Sequence, residues 1–517
     1  MQVESYPAGE NPIQRAAPAS LPELAELAPA HFDLVVLGGG SGAEELCETL
    51  AEAGGEGKVA LSVAVVEADR VGGKCPFLAC MPSKAMLRSA SVRRLALGAS
   101  RFGSEEAGAH SPEAAWREAV SRRDSVAEQR DDRYHLRALE SIGVEVVRGR
   151  GRVTGWGRLA VEGSSPRLLS FETLVLATGS RPSLPPVEGL EQAALWTSED
   201  ALSSAELPSS LAILGGGPVG CELAEIYAGY LPAGRITLLE SADRLLSSEE
   251  EAIGLALADH LRRRGVEVAV GARLERAEQV GAHTLCHLAS GEVLTVARFV
   301  VAAGRSPNTG GIGLEQLGVE LGAGGEVMVG EDLLAARDPE SGRRLFAIGD
   351  VNGIAPFTHA AKHQARQLAA TLLGEGAPTR GLFPRCVYTD PPLAAVGLTV
   401  AEARERGIEV ETAGMDLAGT ARAEAEGRLA GDGLSPESGG LVLLVADKER
   451  AVLLGASAFG PRADEWIGQL TLAVRAELPL ALLSDVVQPF PTYCEALTPL
   501  LRQLARACGR RKAPGSQ

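Results

Sequence analysis

The chain has 517 residues, a length that excludes a single ordinary domain and predicts three or four. Its 50 lysine and arginine residues are outnumbered by 67 aspartate and glutamate residues, so the formal charge at pH 7 is −17, and such a chain repels nucleic acid and anionic lipid. Its 45% of hydrophobic residues and its 61 glycines are typical of a folded α/β protein and not of a disordered one.

Residues 1–30 contain proline, alanine and glutamate but no basic segment followed by an apolar one, so we expect a flexible leader and not a secretory signal. No apolar run reaches the ~18–20 residues that cross a bilayer, which predicts a protein that does not associate with membranes. Eight cysteines are too few for the disulfide scaffold of a small secreted protein, and they favour the reducing cytoplasm.

A strand, a glycine turn and a helix follow the leader. The strand is predicted at Asp33–Leu37, the helix at Glu44–Ala53, and the next strand, Val63–Val66, ends at Glu67. The turn between the first strand and the helix contains Gly38, Gly40, Ser41, Gly42 and Ala43. Glycines at this spacing let backbone N–H groups approach a pyrophosphate, and a carboxylate some 20 residues later binds ribose hydroxyls. The pattern therefore predicts a dinucleotide site.

Two cysteines, Cys75 and Cys80, come shortly after Glu67. In a regular helix, residues five apart have Cα atoms roughly 8–9 Å from each other, beyond the ~7 Å that a disulfide spans. A disulfide therefore requires a bent segment, which Gly72-Gly73 and Pro76 would permit. Such a bridge would be strained and easily reduced, as catalytic or regulatory disulfides are.

The alternative is that these two cysteines are two of the ligands of a metal site. A metal site needs further ligands at suitable spacing, and the nearest candidates are His283, Cys286 and His287. These three residues lie in a polar stretch that we expect to be a turn. We therefore assign no metal ligands.

The strand, turn and helix return about 177 residues after their first occurrence, at Leu211–Leu214 and the helical Cys221–Tyr230. The second turn contains Gly215, Gly217 and Gly220. The following strand, Ile236–Leu239, ends at Glu240, which is 20 residues after the last of these glycines. The repetition predicts two dinucleotide-binding folds in one chain.

The segment GGKCPFLACMPSK, residues 72–84, resembles the redox-disulfide signature of the flavoprotein disulfide reductases, the class I pyridine nucleotide–disulfide oxidoreductases that include dihydrolipoamide dehydrogenase, glutathione reductase and mercuric reductase. The resemblance extends over residues 31–505. Further landmarks of the family follow in order as Ala177-Thr178-Gly179-Ser180, Gly304-Arg305-Ser306-Pro307-Asn308, Ala347-Ile348-Gly349-Asp350 and Tyr388-Thr389-Asp390-Pro391.

The resemblance implies an α/β architecture with two Rossmann-like domains, one for FAD and one for the nicotinamide nucleotide, and a C-terminal α+β dimerisation domain. The implied divisions are the leader 1–30, FAD domain 31–182 and 309–380, NAD(P) domain 183–308, interface domain 381–505 and tail 506–517. The protein is then a homodimer in which each subunit closes the active site of the other.

The resemblance also implies roles for particular side chains. Cys75 becomes the exchanging thiol and Cys80 the flavin-facing one, and Lys84 and Glu222 form an ion pair beside flavin N5. The first glycine turn with Glu67 holds FAD. Other implied cofactor contacts are Gly73, Thr178, Gly179, Gly304, Asp350 and His359. For His359 we expect a role in helix capping or flavin packing and not in proton transfer.

The chain departs from the family in its closing motif, normally His-Pro-Thr-x-x-Glu, which is here Phe490–Glu495. Phenylalanine carries no proton, and the last histidine of the chain is His363. General acid–base help is worth about 10²–10⁴ in rate, so we expect slow exchange with lipoamide or glutathione. Glu495, Tyr493 or a water could substitute as the acid. Cys494 could be a further thiol or a packed side chain, and Cys508 is expected to be an incidental residue of the tail.

We thus expect an FAD-dependent NAD(P)H oxidoreductase that passes electrons through Cys75 and Cys80 to a small-molecule acceptor. The carboxylate of Glu240 would repel a 2′-phosphate and favours NADH, although Arg244 leaves NADPH open. The alternatives are a quinone, metal or oxygen reductase similar to mercuric reductase, and a non-catalytic flavin-bound redox sensor. Mercury is disfavoured because the C-terminus lacks an adjacent cysteine pair.

Overall fold

The computed structural model describes residues 28–55, 57–99, 110–376, 381–427 and 440–508. Most of the predicted leader and residues 509–517 of the predicted tail lie outside this described part. Ala30, the last residue assigned to the leader, already belongs to the first strand. Cys508 is the last residue of the final helix and so was wrongly assigned to a tail.

Fourteen α-helices occur in the described ranges. They are α1 Ser41–Ala53, α2 Lys74–Phe77, α3 Cys80–Leu97, α4 Pro112–Val126, α5 Arg133–Ser141, α6 Ser198–Ser203, α7 Pro218–Ala228, α8 Glu251–Arg263, α9 Thr358–Leu373, α10 Val400–Glu405, α11 Ala421–Ala425, α12 Ala463–Arg475, α13 Leu480–Leu483 and α14 Leu497–Cys508. None of these helices has the length and apolar character that crossing a membrane requires.

The strands of the first half of the chain are β1 Ala30–Leu37, β2 Val63–Glu67, β3 Glu145–Arg148, β4 Arg150–Gly155, β5 Arg158–Glu162, β6 Arg167–Leu176, β7 Ser180–Pro182, β8 Leu195–Thr197, β9 Leu211–Leu214, β10 Ile236–Leu239 and β11 Val266–Ala269. Those of the second half are β12 Leu274–Val280, β13 His283–Leu288, β14 Val293–Val296, β15 Arg298–Val301, β16 Arg305–Pro307, β17 Leu334–Arg337, β18 Arg344–Ala347, β19 Arg385–Val387, β20 Leu393–Gly397, β21 Val410–Asp416, β22 Leu441–Asp447 and β23 Val452–Phe459.

The first sheet has the order β17-β18-β6-β1-β2-β3, with β5 also paired to β6 and β4 paired to β5. Its central strand β1 runs parallel to both of its neighbours. Because both faces of such a strand are covered, its side chains alternate between two hydrophobic cores: Val35 and Leu37 enter one, and Leu34 and Val36 the other. Strands β17 and β18 of this sheet come much later in the chain than β1 to β6. The strands of the second sheet lie between these two groups in the sequence.

The second sheet, β11-β10-β9-β15-β8, is parallel throughout. Strand β9 is followed by α7 as β1 is followed by α1, which puts the two glycine turns at equivalent places. In both sheets the turn lies at the carboxyl end of a central parallel strand, where open α/β sheets bind their ligands. The repeated dinucleotide fold expected from the sequence is thus present in the secondary structure and pairing.

The third large sheet, β19-β20-β23-β22-β21, is antiparallel. Helices α12 and α14 cover it, and their apolar side chains, among them Trp466, Ile467 and Leu501, share one core with the strands. Together the three sheets form the α/β architecture with a C-terminal α+β unit that the sequence predicted.

Two local expectations were wrong. The stretch His283–Leu288, expected to be a turn, is strand β13 of a three-stranded sheet, and its alternate residues Thr284 and Cys286 are buried. Helices α1 and α7 begin at Ser41 and Pro218, each three residues before the helix start expected from the sequence. At α7 the early start is favoured because proline is well suited to the first turn of a helix.

Candidate active site

The first glycine turn brings the N-terminus of α1 against open space. Gly38 has φ +103°, and a Cβ there would lie 2.3 Å from the carbonyl oxygen of Ala177, so only glycine fits. A Cβ on Gly40, the residue that precedes α1, would approach nothing closer than Gly73 Cα at 3.8 Å. No side chain caps the helix. Its first N–H groups therefore face a space in which an anion can be held.

Glu67 is fixed beside this turn. Its Oε2 accepts a hydrogen bond from the Gly39 amide at 2.6 Å, and its Oε1 accepts one from the Asp69 amide, also at 2.6 Å. Burial raises the pKa of this carboxyl, against the lowering effect of the two amides. The remaining lone pairs of the carboxylate can accept hydrogen bonds from ribose hydroxyls.

The second glycine turn repeats this geometry. Gly215 has φ +114°, and a Cβ on Gly220 would lie 1.9 Å from the Gly215 carbonyl oxygen, while nothing lies within 4 Å of a Cβ on Gly217. Helix α7 also lacks a side-chain cap. Glu240 accepts hydrogen bonds from the amides of Gly216 at 2.6 Å and Ala242 at 2.7 Å.

Both turns thus combine an uncapped helix, an open glycine and a positioned carboxylate, which is the donor set that bound dinucleotides require. Of the other residues of the first turn, Ser41 and Gly42 begin α1, and Ala43 is buried with its amide bonded to the Gly40 carbonyl at 2.8 Å. Gly73 has φ +72°, and a Cβ there would lie 2.9 Å from Gly40 Cα, so it fits closely under the turn.

The loops after β6 and β15 meet the segment that contains Asp350. Ser180 donates a hydrogen bond to Asp350 Oδ2 at 2.6 Å and accepts one from Arg305 Nε at 2.7 Å. Thr178 is joined to Asn308 by two hydrogen bonds of 2.9 Å. A Cβ on either glycine of these loops, Gly179 at φ +67° or Gly304 at φ +116°, would meet no atom within 4 Å, which leaves room for a ligand.

The two cysteines lie at a break between helices. Helix α2 ends at Phe77 and α3 begins at Cys80, after Ala79 with φ −133° and ψ −94°. The segment is therefore bent, as a contact between the two sulfurs requires. Cys75 and Cys80 are free and partly buried, and each of the two groups shifts the pKa of the other.

The pair has two unequal sulfurs. The interaction with Cys75 lowers the pKa of Cys80 to about 6. The Thr358 hydroxyl and the charge of Lys84 also lower this pKa, whereas burial raises it. The same interaction and burial raise the pKa of Cys75. The two pKa shifts run in opposite directions, so Cys80 is the more readily ionised of the two sulfurs.

Thr358 is a contact that sequence reasoning missed. Its Oγ1 lies 3.6 Å from Cys80 Sγ, and it is the first residue of α9. Its neighbour His359 points elsewhere, with Nε2 2.9 Å from the Pro384 carbonyl oxygen and its ring stacked on Phe357. In the structure His359 therefore connects α9 to the C-terminal unit.

Lys84 and Glu222, from α3 and α7, form the ion pair suggested by the resemblance. Lys84 Nζ lies 2.9 and 3.1 Å from the two carboxylate oxygens, and it also lies 4.3 Å from the centre of the Tyr388 ring. The Tyr388 amide donates to Glu222 Oε1 at 3.0 Å. Each of the three large units thus contributes one residue to this cluster. Cys386 is partly buried beside it.

The closing motif presents Phe490 to the outside of the subunit, with 78% of its surface exposed. Glu495 Oε1 accepts a hydrogen bond from the Ala421 amide at 2.9 Å within its own subunit. Tyr493 is buried and donates to Glu426 Oε2 at 2.9 Å. Burial raises the pKa of the half-buried Cys494. Two of the expected substitute acids are thus already engaged within the fold.

Among the described residues, no group of three or more His, Cys, Asp or Glu side chains is placed to hold a metal ion. His283, Cys286 and His287 belong to one strand, on which alternate side chains point to opposite faces.

Comparison with known proteins identifies the family. Residues 32–365 match the profile of the pyridine nucleotide-disulphide oxidoreductases, and residues 383–501 match the dimerisation domain of the same family. Dihydrolipoyl dehydrogenase of Thermus scotoductus is 32% identical over 473 residues, covering 90% of this chain and 96% of the relative. Mercuric reductase of Staphylococcus aureus is 28% identical over 471 residues, covering 90% and 81%.

Solved structures of flavoprotein disulfide reductases are also similar to this chain. The HOCl-induced flavoprotein disulfide reductase RclA from Escherichia coli is 26% identical with a TM-score of 0.76, over 91% of this chain and 99% of that one. A second structure of the same reductase is a Cu(II) complex, 25% identical with a TM-score of 0.77, over 92% of this chain and 99% of that one. Matched along nearly its whole described length, the chain belongs to the class I flavoprotein disulfide reductases, the pyridine nucleotide-disulphide oxidoreductases, and is an FAD-dependent oxidoreductase.

Proposed function

We propose that the protein oxidises NADH and passes the electrons through FAD and the Cys75–Cys80 pair to a small-molecule acceptor, with a disulfide as the first candidate. The observation that carries this proposal is the placement of Cys75 and Cys80 on the two sides of the bend between α2 and α3, with the Lys84–Glu222 ion pair beside them. FAD supplies the two-electron relay between nicotinamide and sulfur. The chain holds the dinucleotides at its two glycine turns, fixes the ion pair and brings the two sulfurs together at a bend.

The domain division expected from the resemblance remains our proposal, with FAD on the first sheet and the nicotinamide nucleotide on the second. We propose that the C-terminal unit forms a homodimer. Its helices and the following loop expose large apolar side chains, among them Leu472, Val487 and Phe490, which are 62%, 91% and 78% exposed. All eight cysteines are free, as suits the cytoplasmic location that we propose.

NADH is the proposed nucleotide because Glu240 is a carboxylate and because Nη1 and Nη2 of Arg244, the cation that left NADPH open, bind neighbouring groups. Arg244 donates to the Ser247 carbonyl at 2.6 Å and pairs with Asp243 at 3.4 Å. The negative charge of the Glu240 carboxylate would repel a 2′-phosphate. We expect kcat/KM to be about tenfold or more higher for NADH than for NADPH, and Glu240→Ala to reduce that preference. An equal preference in the wild-type enzyme would contradict this assignment.

A thiophilic metal ion is the second candidate acceptor. The observation that favours it is Phe490, because a metal ion bound by sulfur accepts electrons without the acid that dithiol exchange uses. The Cu(II) complex of RclA shows that a structurally similar reductase binds such an ion. Steady-state NADH oxidation with lipoamide, glutathione disulfide, Cu(II), mercuric ion and a quinone would rank these acceptors.

Anaerobic titration with NADH tests the proposed electron path. We expect four electrons per subunit, two for the flavin and two for the cysteine pair, and a long-wavelength thiolate-to-flavin absorbance after the first two. Uptake of only two electrons per subunit would show that the cysteines store none. Absence of reduction would instead favour a redox sensor over an enzyme.

A further inference from the structure

We propose that Arg94 is a positioning residue, which holds α7 against α3 and so fixes the Lys84–Glu222 ion pair for electron transfer from NADH to the flavin. The inference deepens the proposed function and rests on it, because it concerns the first step of the proposed electron path. Arg94 and its buried partner Glu225 lie outside every motif that identified the site.

Arg94 lies on α3 and binds one carboxylate from each of the other two large units. Its Nη1 donates to Glu225 Oε1 on α7 at 2.9 Å, and its Nη2 donates to Asp390 Oδ2, in the segment after β19, at 2.6 Å. Ser91, one turn earlier on α3, donates to the same oxygen of Asp390 at 2.5 Å. One guanidinium thus connects all three units.

Glu225 is almost fully buried, with 1% of its side chain exposed. Its Oε2 lies 3.0 Å from Nε2 of the equally buried His260 on α8, and Arg264 Nε lies 3.9 Å from its Oε1. Burial raises the pKa of this carboxyl, but His260, Arg94 and Arg264 together hold it below its usual value. Because both oxygens of the carboxylate are bound, the part of α7 around Glu225 has a fixed position.

These buried charges adjoin the cluster of Lys84, Glu222 and Tyr388. Glu225 is three residues after Glu222, so the two carboxylates lie on the same side of α7, about one turn apart. Asp390 is two residues after Tyr388, whose amide donates to Glu222 Oε1 at 3.0 Å. Since α7 is one continuous helix, a movement of Glu225 carries Glu222 with it and changes its contact with Lys84.

Helix α7 also begins at the second glycine turn, where we propose that the nicotinamide nucleotide binds, and it carries Glu222 in its second turn. Its position against α3 therefore sets how the unit built on the second sheet lies against the unit built on the first. In the proposed step NADH becomes NAD⁺, and both electrons leave it as one hydride. Such a transfer requires close contact, and a misplacement of about 1 Å can lower a rate by about 10²-fold.

The kinetic test uses FAD-loaded Arg94→Met, Glu225→Gln and the double variant. Anaerobic stopped-flow mixing over a range of NADH concentrations gives the rate constant of flavin reduction and the Kd of NADH separately. We expect Arg94→Met to lower this rate constant about tenfold and to change Kd by less than about twofold, because the contacts at the glycine turn are untouched. The double variant should be no slower than Arg94→Met, because the two residues act through one contact.

Hydrogen exchange of the Tyr388 amide gives a second readout, which needs no electron transfer. This N–H group is bonded to Glu222, so its exchange rate reports whether α7 keeps its position. We expect exchange, resolved to single residues by mass spectrometry, to be about tenfold faster in Arg94→Met than in wild type.

Asp447→Asn is the matched control. Asp447 is also a buried carboxylate, but it accepts hydrogen bonds from the amides of Glu449 and Arg450 within the C-terminal unit. Its replacement should lower thermal stability while leaving flavin reduction and Tyr388 exchange at their wild-type rates.

An Arg94→Met enzyme that melts at a lower temperature but is reduced by NADH at the wild-type rate would overturn the inference, because Arg94 would then only stabilise the fold. If Arg94→Met does not fold, Arg94→Lys replaces it, since lysine keeps the charge but lacks the fork that binds two carboxylates. A wild-type reduction rate in Arg94→Lys would overturn the inference equally. Failure of the proposed function is distinguishable, because NADH would then not reduce the wild-type enzyme, while Tyr388 exchange would still report the position of α7.

Discussion

Replacing Cys75 with serine is expected to lower turnover with disulfide substrates by about 10³-fold or more, while NADH still reduces the bound flavin. Serine has nearly the same size but cannot form or open a disulfide, so electrons would stop at the flavin. Cys80 would keep its contacts with Thr358 and Lys84, and the fold around the sulfurs should be unchanged.

Stopped-flow reduction by NADH, followed by steady-state assays with lipoamide, separates the two half-reactions of Cys75→Ser. Cys508→Ser is the control, because Cys508 ends the final helix far along the chain from the sulfur pair. Turnover with lipoamide above a tenth of the wild-type rate would show that Cys75 is not the exchanging thiol. Retention of quinone reduction alone would identify an acceptor that takes electrons directly from the flavin.

The features that could be predicted from the sequence are those fixed by backbone sterics. At positions such as Gly38 and Gly220 a Cβ would collide with a carbonyl oxygen, so only glycine fits. Such a glycine can be recognised in the sequence. The carboxylates that follow, Glu67 and Glu240, are tied to the same turns by matching amide bonds, so spacing alone located them. Both glycine turns are therefore predictable from the order of residues along the chain.

The features that escaped prediction depend on tertiary contacts or on a misread pattern. Thr358 carries no local signal, because one threonine at a helix start is common and its partner sulfur is 278 positions away. The bond from the Ala421 amide to Glu495 is equally non-local. The signal for strand β13 was weak, because Leu285 lies between the buried Thr284 and Cys286 and breaks the alternation of apolar and polar residues, and because the histidines suggested a turn or a metal site.

Replacing Phe490 with histidine is expected to raise turnover with lipoamide by about 10²–10⁴-fold, because an imidazole restores the acid and base that dithiol exchange uses. Phe490 is exposed on its own subunit, so the substitution should cost little stability in the isolated chain and act only in the dimer, at the sulfurs of the partner. The pH profile should gain a limb near the pKa of about 6.5 of a free imidazole.

Phe490→Leu is the matched control, since it changes the side chain without adding a titratable group, and its lipoamide turnover should stay at the wild-type level. Glu495 has one oxygen bonded to the Ala421 amide, so its other oxygen is the one left to orient the new imidazole. Adding Glu495→Gln to Phe490→His should therefore remove part of the gain. A wild-type enzyme that reduces lipoamide as fast as Phe490→His would mean that exchange here uses another acid. Thiophilic metals would then lose their advantage over disulfides as the acceptor.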